Sequence, residues 1–96
     1  MTTYFISRHR GAKEWIEQQG ILIDQSMTHF DPKCVIKGDI VIGTLPVNLI
    51  AEICQRKGRY LHLAMQLPAE MRGKELSMAD MNLYQACLKE YHVTHV

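Results

Sequence analysis

The sequence predicts an α/β domain with a mostly parallel sheet and helices on both faces. Short apolar segments rich in β-branched and aromatic residues alternate along the chain with segments whose apolar residues recur at helical spacing. Strands that alternate with helices imply parallel pairing through right-handed crossovers. The chain has 96 residues, of which 47% are hydrophobic, and this is enough for one core. We therefore expect a single domain over residues 1–96.

The first part of the chain predicts a strand, a helix and a second strand. Residues 3–7 are apolar or β-branched at almost every position, as in a strand that is covered on both faces. A helix follows from about Ala12, and Gly20 is placed to end it in a left-handed conformation. The second strand is either residues 21–23 or residues 27–30, and the pattern does not choose between these two apolar groups.

The middle of the chain repeats this alternation. Residues 39–43 form the clearest strand of the sequence. Pro46 suits the first turn of the next helix, and Gly58 suits the position just past its end. Residues 60–63 predict a further strand, and the polar residues 66–76 that follow predict a loop.

The last segment predicts a third helix. Ser77 and Asp80 have the spacing of a capping box, with aspartate in place of glutamate. One apolar helical face would then continue through Met81, Tyr84, Leu88 and Tyr91.

Charge and cysteine content argue against several classes of function. The formal net charge is +1, so no global field would attract long nucleic acid or an anionic membrane. The three cysteines include no Cys-x-x-Cys pair, which favours reduced thiols and a cytoplasmic location over a disulfide framework or a zinc site. No apolar run approaches the ~20 residues of a membrane span, so we expect no membrane association.

The loop after the first strand carries the strongest indication of a binding site. It holds a hydroxyl, two guanidinium groups, an imidazole and a glycine, at Ser7, Arg8, His9, Arg10 and Gly11. In open parallel sheets, ligands bind outside the carboxyl ends of the strands, where helix N-termini add partial positive charge. Arginine matches phosphate oxygens, and Gly11 allows the backbone to turn tightly. The loop predicts phosphate binding; the alternative is solvated arginines and a histidine that only caps a turn.

Two further loops are expected at the same edge of the sheet. The one after the 39–43 strand holds Gly43, Thr44, Leu45 and Asn48, which could contact a phosphate, a sugar or a base, or could form an ordinary strand-to-helix turn. Residues 66–76 form either a lid or a surface connection. All three loops can face one crevice, although neither Gly-x-Gly-x-x-Gly nor Gly-x-x-x-x-Gly-Lys occurs in the chain.

The other histidines favour structural interpretations. His62 lies inside a predicted strand and is expected to be hydrogen-bonded and half-buried, and His29 is interpreted in the same way. His92 and His95 have a spacing that can bind a metal, yet no third ligand lies near them in sequence, so we expect a solvated tail and no metal site.

Several segments are distinctive in combination. They are Tyr4-Phe5-Ile6-Ser7-Arg8-His9, Gly11-Ala12, Trp15, Val41-Ile42-Gly43-Thr44-Leu45-Pro46-Val47-Asn48-Leu49, Tyr60-Leu61-His62-Leu63 and Leu67-Pro68-Ala69-Glu70. With these segments the chain resembles a small CRISPR-associated accessory family of type III systems, from its start to about Leu76. The resemblance implies a small Rossmann-like fold similar to the CARF domains.

The resemblance also implies a function. The family is similar to ring nucleases that degrade cyclic oligoadenylate, the second messenger of type III immunity, with cyclic tetra-adenylate as the favoured ligand. It implies a homodimer, because a symmetric ring sits naturally across a two-fold axis, and chemistry without a metal or other cofactor. The reaction would be attack of a ribose 2′-hydroxyl on the neighbouring phosphate.

In this interpretation the first loop carries the chemistry. Arg8 stabilises charge in the transition state and His9 is a general acid or base, while Ser7, Thr44 and Asn48 position the ligand. The sequence leaves two alternatives open. One is a domain that sequesters the ring without cutting it, and the other is a partner-binding domain whose loops bind no ligand.

Overall fold

The computed structural model describes residues 1–7 and 9–96, and of Arg10 it describes only the backbone. In this part of the chain the strands are β1 (Thr3–Ile6), β2 (Gln25–Met27), β3 (Ile40–Gly43), β4 (Arg59–Ala64) and β5 (Cys87–Tyr91). The α-helices are α1 (Arg10–Gln18), α2 (Val47–Gln55) and α3 (Met78–Leu83). Short 3-10 helices occur at Pro32–Cys34 and Ala69–Met71.

The strands form one sheet in the order β2-β1-β3-β4-β5. All neighbouring strands are parallel except β5, which runs antiparallel to β4. From β1 the chain moves outward to β2 and then returns to the other side of β1 to form β3. This reversal makes the boundary between β1 and β3 the topological switch point, where crevices form in doubly wound sheets.

The core consists of two clusters, one on each face of the sheet. Alternate residues of a strand point to opposite faces, and accordingly Tyr4 belongs to one cluster and Phe5 to the other. The first cluster packs the sheet against α2 through Ile50, Ile53 and Cys54. The second packs it against α1 and α3 through Ala12, Trp15, Ile16 and Met81. The predicted α/β architecture, with a mostly parallel sheet and helices on both faces, is confirmed.

The predicted helix ends agree with the structure at several points. Gly20 follows α1 with φ of 85°, in the left-handed region that glycine adopts most readily. Before α3, the Ser77 hydroxyl accepts a hydrogen bond from the Asp80 amide at 3.1 Å, and the Asp80 carboxylate accepts one from the Ser77 amide at 3.0 Å. After α2, the left-handed residue is Lys57, with φ of 68°, and Gly58 is the next residue.

The prediction that α3 continues through Leu88 and Tyr91 is wrong. The helix ends at Leu83, Gln85 adopts φ of 57°, and the Ala86 amide donates to the Met81 carbonyl at 2.9 Å. This is a Schellman closure built without glycine. Leu88 and Tyr91 then lie in β5 on opposite faces of the sheet, because Leu88 pairs with Leu63 and Tyr91 with Tyr60.

The second strand corresponds to neither apolar group that the sequence offered. It spans Gln25–Met27, so only Met27 comes from one of them. Two hydrogen bonds at the start of the strand fix its register: the Thr3 amide donates to the Asp24 carboxylate at 2.7 Å, and the Asp24 amide donates to the Thr3 carbonyl at 2.9 Å. Ile21 and Ile23 pack instead against the cluster beneath α1 and α3.

Two simpler predictions concern cysteines and membranes. Cys34, Cys54 and Cys87 are free, and of the three Cys54 is buried. Within residues 1–7 and 9–96, none of the helices has the length and apolar character required to cross a membrane.

Candidate functional site

A cavity of about 640 Å³ lies at the carboxyl ends of β1, β3 and β4. Ser7 and His9 line it from the first loop, and Gly43 and Thr44 line it from the second. The segment after β4 contributes several residues, namely Met65, Leu67, Arg72 and Leu76. The three loops that the sequence assigned to one crevice therefore line one cavity.

The crevice continues across the switch point toward β2. Ser7 and His9 also line two adjoining cavities of about 300 and 520 Å³. Thr28, which follows β2, lines both of these, and Lys13 of α1 lines the larger one. Ser7 and His9 are thus placed at the centre of an extended groove along the carboxyl edge of the sheet.

His9 is held in one orientation by two hydrogen bonds. Its backbone amide donates to the Ser7 hydroxyl oxygen at 3.0 Å, and its ring Nδ1 accepts a hydrogen bond from the Leu76 amide at 3.1 Å. Leu76 is only 2% exposed, so the amide that orients the ring is anchored in the core. Because Nδ1 accepts, the proton of the neutral imidazole is on Nε2, which can donate to a ligand.

The basic residues of the first loop are only partly described. Arg8 lies outside the described residues, and its predicted role stays a prediction. Arg10 begins α1, and its side chain is likewise outside the description.

Gly11 has a different role from the one predicted. It is not in a tight turn but is the buried second residue of α1. A Cβ atom there would overlap the backbone of Ser77 and Met78, so glycine is required for the close approach of α1 to the start of α3. It does not line the 640 Å³ cavity.

The second loop contributes less than the sequence suggested. Thr44 is exposed and lines the main cavity, and Leu45 lines the adjoining cavity of about 300 Å³. The Leu45 amide donates to the Tyr60 hydroxyl oxygen at 2.9 Å and is therefore occupied within the protein. Asn48 is exposed in the first turn of α2 and does not line the main cavity.

Two polar residues of the cavity wall, His62 and Arg72, were not chosen from the sequence. His62 is half-buried and its Nδ1 lies 2.9 Å from the Tyr60 hydroxyl, as expected, yet it also lines the cavity. Its position near the carboxyl end of a predicted strand could have indicated this, because ligands bind at that edge of a parallel sheet. Arg72 comes from the loop that the sequence left as either a lid or a surface connection.

The described wall of this cavity suits an anionic ligand. It presents the Arg72 guanidinium, two imidazoles and the hydroxyls of Ser7 and Thr44, and none of its described residues is acidic. Arginine and hydroxyl groups are common partners of phosphate oxygens. Beneath the wall, burial raises the pKa of Tyr60, so this phenol stays protonated and can donate a hydrogen bond.

The histidines near the end of the chain lie elsewhere. His92 and His95 line a separate cavity of about 350 Å³ beside Cys54 and Lys57. In the part of the chain that the structure describes, no three His, Cys, Asp or Glu side chains are grouped so as to hold a metal ion. His29 is exposed.

The fold and the groove define a small doubly wound α/β domain with an anion-suited crevice at its switch point. The chain belongs to the family described as "Putative CRISPR-associated protein (Cas_VVA1548)", which it matches over residues 4–94. This confirms the CRISPR association that the sequence resemblance implied, and it extends the likeness beyond Leu76 through β5. No curated protein and no solved structure matches the chain.

Proposed function

We propose that this protein is a ring nuclease that binds and cleaves cyclic oligoadenylate, with cyclic tetra-adenylate as its substrate, and so switches off type III CRISPR signalling. Membership of a CRISPR-associated family supports the biological setting. The observation that carries the proposal is the cavity wall itself, where Ser7, His9, Thr44 and Arg72 surround one space and no described residue is acidic.

The reaction proposed is an internal transesterification. A ribose 2′-oxygen attacks the neighbouring phosphorus, a 2′,3′-cyclic phosphate forms, and the 5′-oxygen of the next nucleotide leaves. The ring opens without an external nucleophile or a metal. Catalysis then depends on holding the sugar in line with the leaving oxygen and on stabilising the charge that develops on the phosphate.

The residues of the first loop are proposed to have different roles in binding the phosphate and stabilising its charge. Arg8 is proposed, from the sequence, to stabilise charge on the phosphate. His9 offers Nε2–H to a phosphate oxygen, in an orientation that the Leu76 amide maintains. The Ser7 oxygen is already an acceptor for the His9 amide, so its own proton remains for the ligand. Thr44 donates from the facing loop.

A homodimer is part of the proposal. A ring of identical nucleotides has rotational symmetry, and two copies of the groove related by a two-fold axis could bind it symmetrically. The groove is open at the carboxyl edge of the sheet, which leaves room for a ring shared between two chains.

One assay tests the proposal directly. The protein is incubated with cyclic tetra-adenylate in excess and with EDTA, and the products are separated by chromatography. We expect multiple turnovers that give linear products with 2′,3′-cyclic phosphate ends. Tight binding of an intact ring would instead identify a sequestering domain. If the protein neither bound nor cleaved the ring, cyclic tetra-adenylate would not be its ligand.

Variants locate the activity in the groove. Arg8→Ala and His9→Ala are each expected to lower turnover by roughly 10²–10³-fold, the usual effect of losing one donor to a developing oxyanion. Arg56→Ala is the matched control, because Arg56 lies just past the end of α2, does not line the main cavity, and forms a partly exposed ion pair with Glu52. Equal losses in all three variants would argue against this site.

A further inference from the structure

The hydroxyl of Tyr60 connects three groups at the base of the cavity. It lies 2.9 Å from the Gly43 carbonyl oxygen, 2.9 Å from the Leu45 amide nitrogen and 2.9 Å from Nδ1 of His62. Tyr60 is fully buried, with 0% of its surface exposed. Buried polar groups are almost always paired, so these three contacts must be satisfied together.

Counting protons gives one arrangement that satisfies all three contacts. The Leu45 amide can only donate, and the Gly43 carbonyl can only accept. If Tyr60 donated to His62, its oxygen and the Gly43 oxygen would face each other at 2.9 Å without a proton between them. Tyr60 therefore donates to Gly43, and His62 must donate to Tyr60 through Nδ1–H. The neutral His62 ring then carries its free lone pair on Nε2.

His9 has the opposite tautomer. Its Nδ1 accepts from the Leu76 amide, so its Nε2 carries a proton. The two rings also belong to opposite faces of the sheet: His62 shares the α2 face with Tyr60, two residues before it in β4, whereas His9 is tied to Leu76 in the cluster beneath α1 and α3. One cavity thus has a donor imidazole on one side and an acceptor imidazole on the other.

We propose that His62 is the general base of the reaction, with Tyr60 as the residue that fixes its tautomer. This inference rests on the proposed function. Nε2 of His62 takes the proton of the ribose 2′-hydroxyl as the 2′-oxygen bonds to phosphorus. The bond from phosphorus to the 5′-oxygen breaks, the 5′-oxygen takes a proton from water, and the His62 imidazolium releases its proton to solvent. His9 donates a hydrogen bond to the phosphate and does not change its protonation state.

Several charged and titratable groups lie near His62. Tyr60 and Gly43 flank it, Lys89 is its partner in β5, and the Tyr91 ring lies edge-on with centroids 5.9 Å apart. Across the cavity are His9 and Arg72. Tyrosine, lysine and arginine side chains ordinarily ionise only above pH ~10, whereas the ordinary charge change of an imidazole falls between about pH 5 and 8.

The kinetic test compares His62→Gln with wild type. Glutamine keeps a donor for Tyr60 but has no basic nitrogen. Under single turnover with cyclic tetra-adenylate, we expect the rate to fall roughly 10²–10⁴-fold and its rise from pH 5 to 8 to disappear, while the Kd for the ring stays within a few-fold. His29→Gln is the control, since His29 is exposed and does not line the main cavity; it should leave rate and pH profile unchanged.

A spectroscopic test does not depend on a variant that folds. Nitrogen-15 NMR of the wild-type histidine rings is expected to show the proton on Nδ1 in His62 and on Nε2 in His9. The reverse tautomer at His62 would overturn the proposal.

The kinetic outcomes distinguish the proposed role of His62 from the proposed function of the protein. If wild type cleaves the ring and His62→Gln retains its rate and pH profile, His62 is not the base and the proposed function stands. A loss of ring binding equal to the loss of rate would make His62 a binding residue instead. If wild type neither binds nor cleaves the ring, the proposed function fails and the role of His62 fails with it.

Discussion

At the scale of single residues, Tyr60 connects the groove to the core. Its hydroxyl holds the end of β3 at Gly43, the start of the following loop at Leu45 and the ring of His62. One side chain thereby joins the packed core under α2 to the wall of the cavity. This link is buried, since 0% of the surface of Tyr60 is exposed.

Removal of that hydroxyl should destabilise the protein measurably. Tyr60→Phe leaves the Leu45 amide and the Gly43 carbonyl without this partner, and we expect the free energy of unfolding to fall by about 1–3 kcal/mol. Urea denaturation at neutral pH measures the change. Tyr91→Phe is the control, since Tyr91 is 47% exposed, and its effect should stay within about 0.5 kcal/mol.

Tyr60 also makes the free energy of unfolding depend on pH in the alkaline range. Burial raises the pKa of Tyr60 from its ordinary value of 10.0, so above pH 10.0 the unfolded chain releases this proton before the folded chain does. The free energy of unfolding must then decrease as pH rises through the raised pKa. Burial raises the pKa of Tyr4 in the same direction.

Tyr60→Phe should therefore reduce this alkaline slope without abolishing it. The measurement is urea denaturation at intervals of pH from neutral to alkaline, for wild type, Tyr60→Phe and Tyr91→Phe. An unchanged slope in Tyr60→Phe would mean that Tyr60 ionises in the folded state as it does in the unfolded state.

At the scale of elements, the contact between α1 and α3 positions the first loop. Gly11 of α1 faces the backbone of Ser77 and Met78, and the Trp15 indole donates to the Asn82 side chain at 3.2 Å. Leu76, just before α3, donates to His9 just before α1. The starts of these two helices are therefore held together, and their closeness sets the orientation of His9.

For Gly11→Ala, helix propensity and the close helix contact predict opposite changes in the free energy of unfolding. Helix propensity alone would make alanine stabilising by about 1 kcal/mol. The overlap with the Ser77 and Met78 backbone should reverse this and destabilise the protein by about 1–3 kcal/mol. Thermal and urea unfolding report the change. Lys13→Ala is the control on the exposed side of the same helix, and a stabilised Gly11→Ala would contradict the close contact.

The elements also show where sequence reasoning succeeded and where it did not. The capping box at Ser77 is local, so its spacing predicted the start of α3 correctly. The end of α3 was missed because the left-handed residue that closes it is Gln85. In most helices this position is a glycine, which can be recognised in the sequence. Leu88 and Tyr91 are three residues apart, which fits a helical face, but pairing with β4 decides that they form a strand.

At the scale of the whole molecule, the groove is assembled from distant parts of the chain. His9, Thr44, His62 and Arg72 come together only because β1, β3 and β4 are parallel and end at one edge. The switch point lies between β1 and β3, so α1 and α2 leave the sheet toward opposite faces and leave the edge open. A ligand larger than a single nucleotide could extend along it toward Thr28.

The proposed shared ring predicts a stoichiometry. We expect one cyclic tetra-adenylate to bind two chains, because a two-fold axis would pass through the ring. Native mass spectrometry and light scattering measure this, with a ring of 2′-deoxyadenylate that lacks the attacking hydroxyl and therefore stays intact. Linear tetra-adenylate is the matched control and should bind more weakly. One ring on each single chain would contradict the shared site.

The sequence by itself determined the class of fold, most of the strands and the three loops at the carboxyl edge. These depend on patterns that are local or periodic: runs of apolar residues, capping residues and polar loops after strands. The tertiary structure alone decided β5, the register of β2, the role of Gly11 and the entry of His62 and Arg72 into the groove. Each of these depends on strand pairing or on backbone contact between residues far apart in the chain, for which a single sequence carries no local signal.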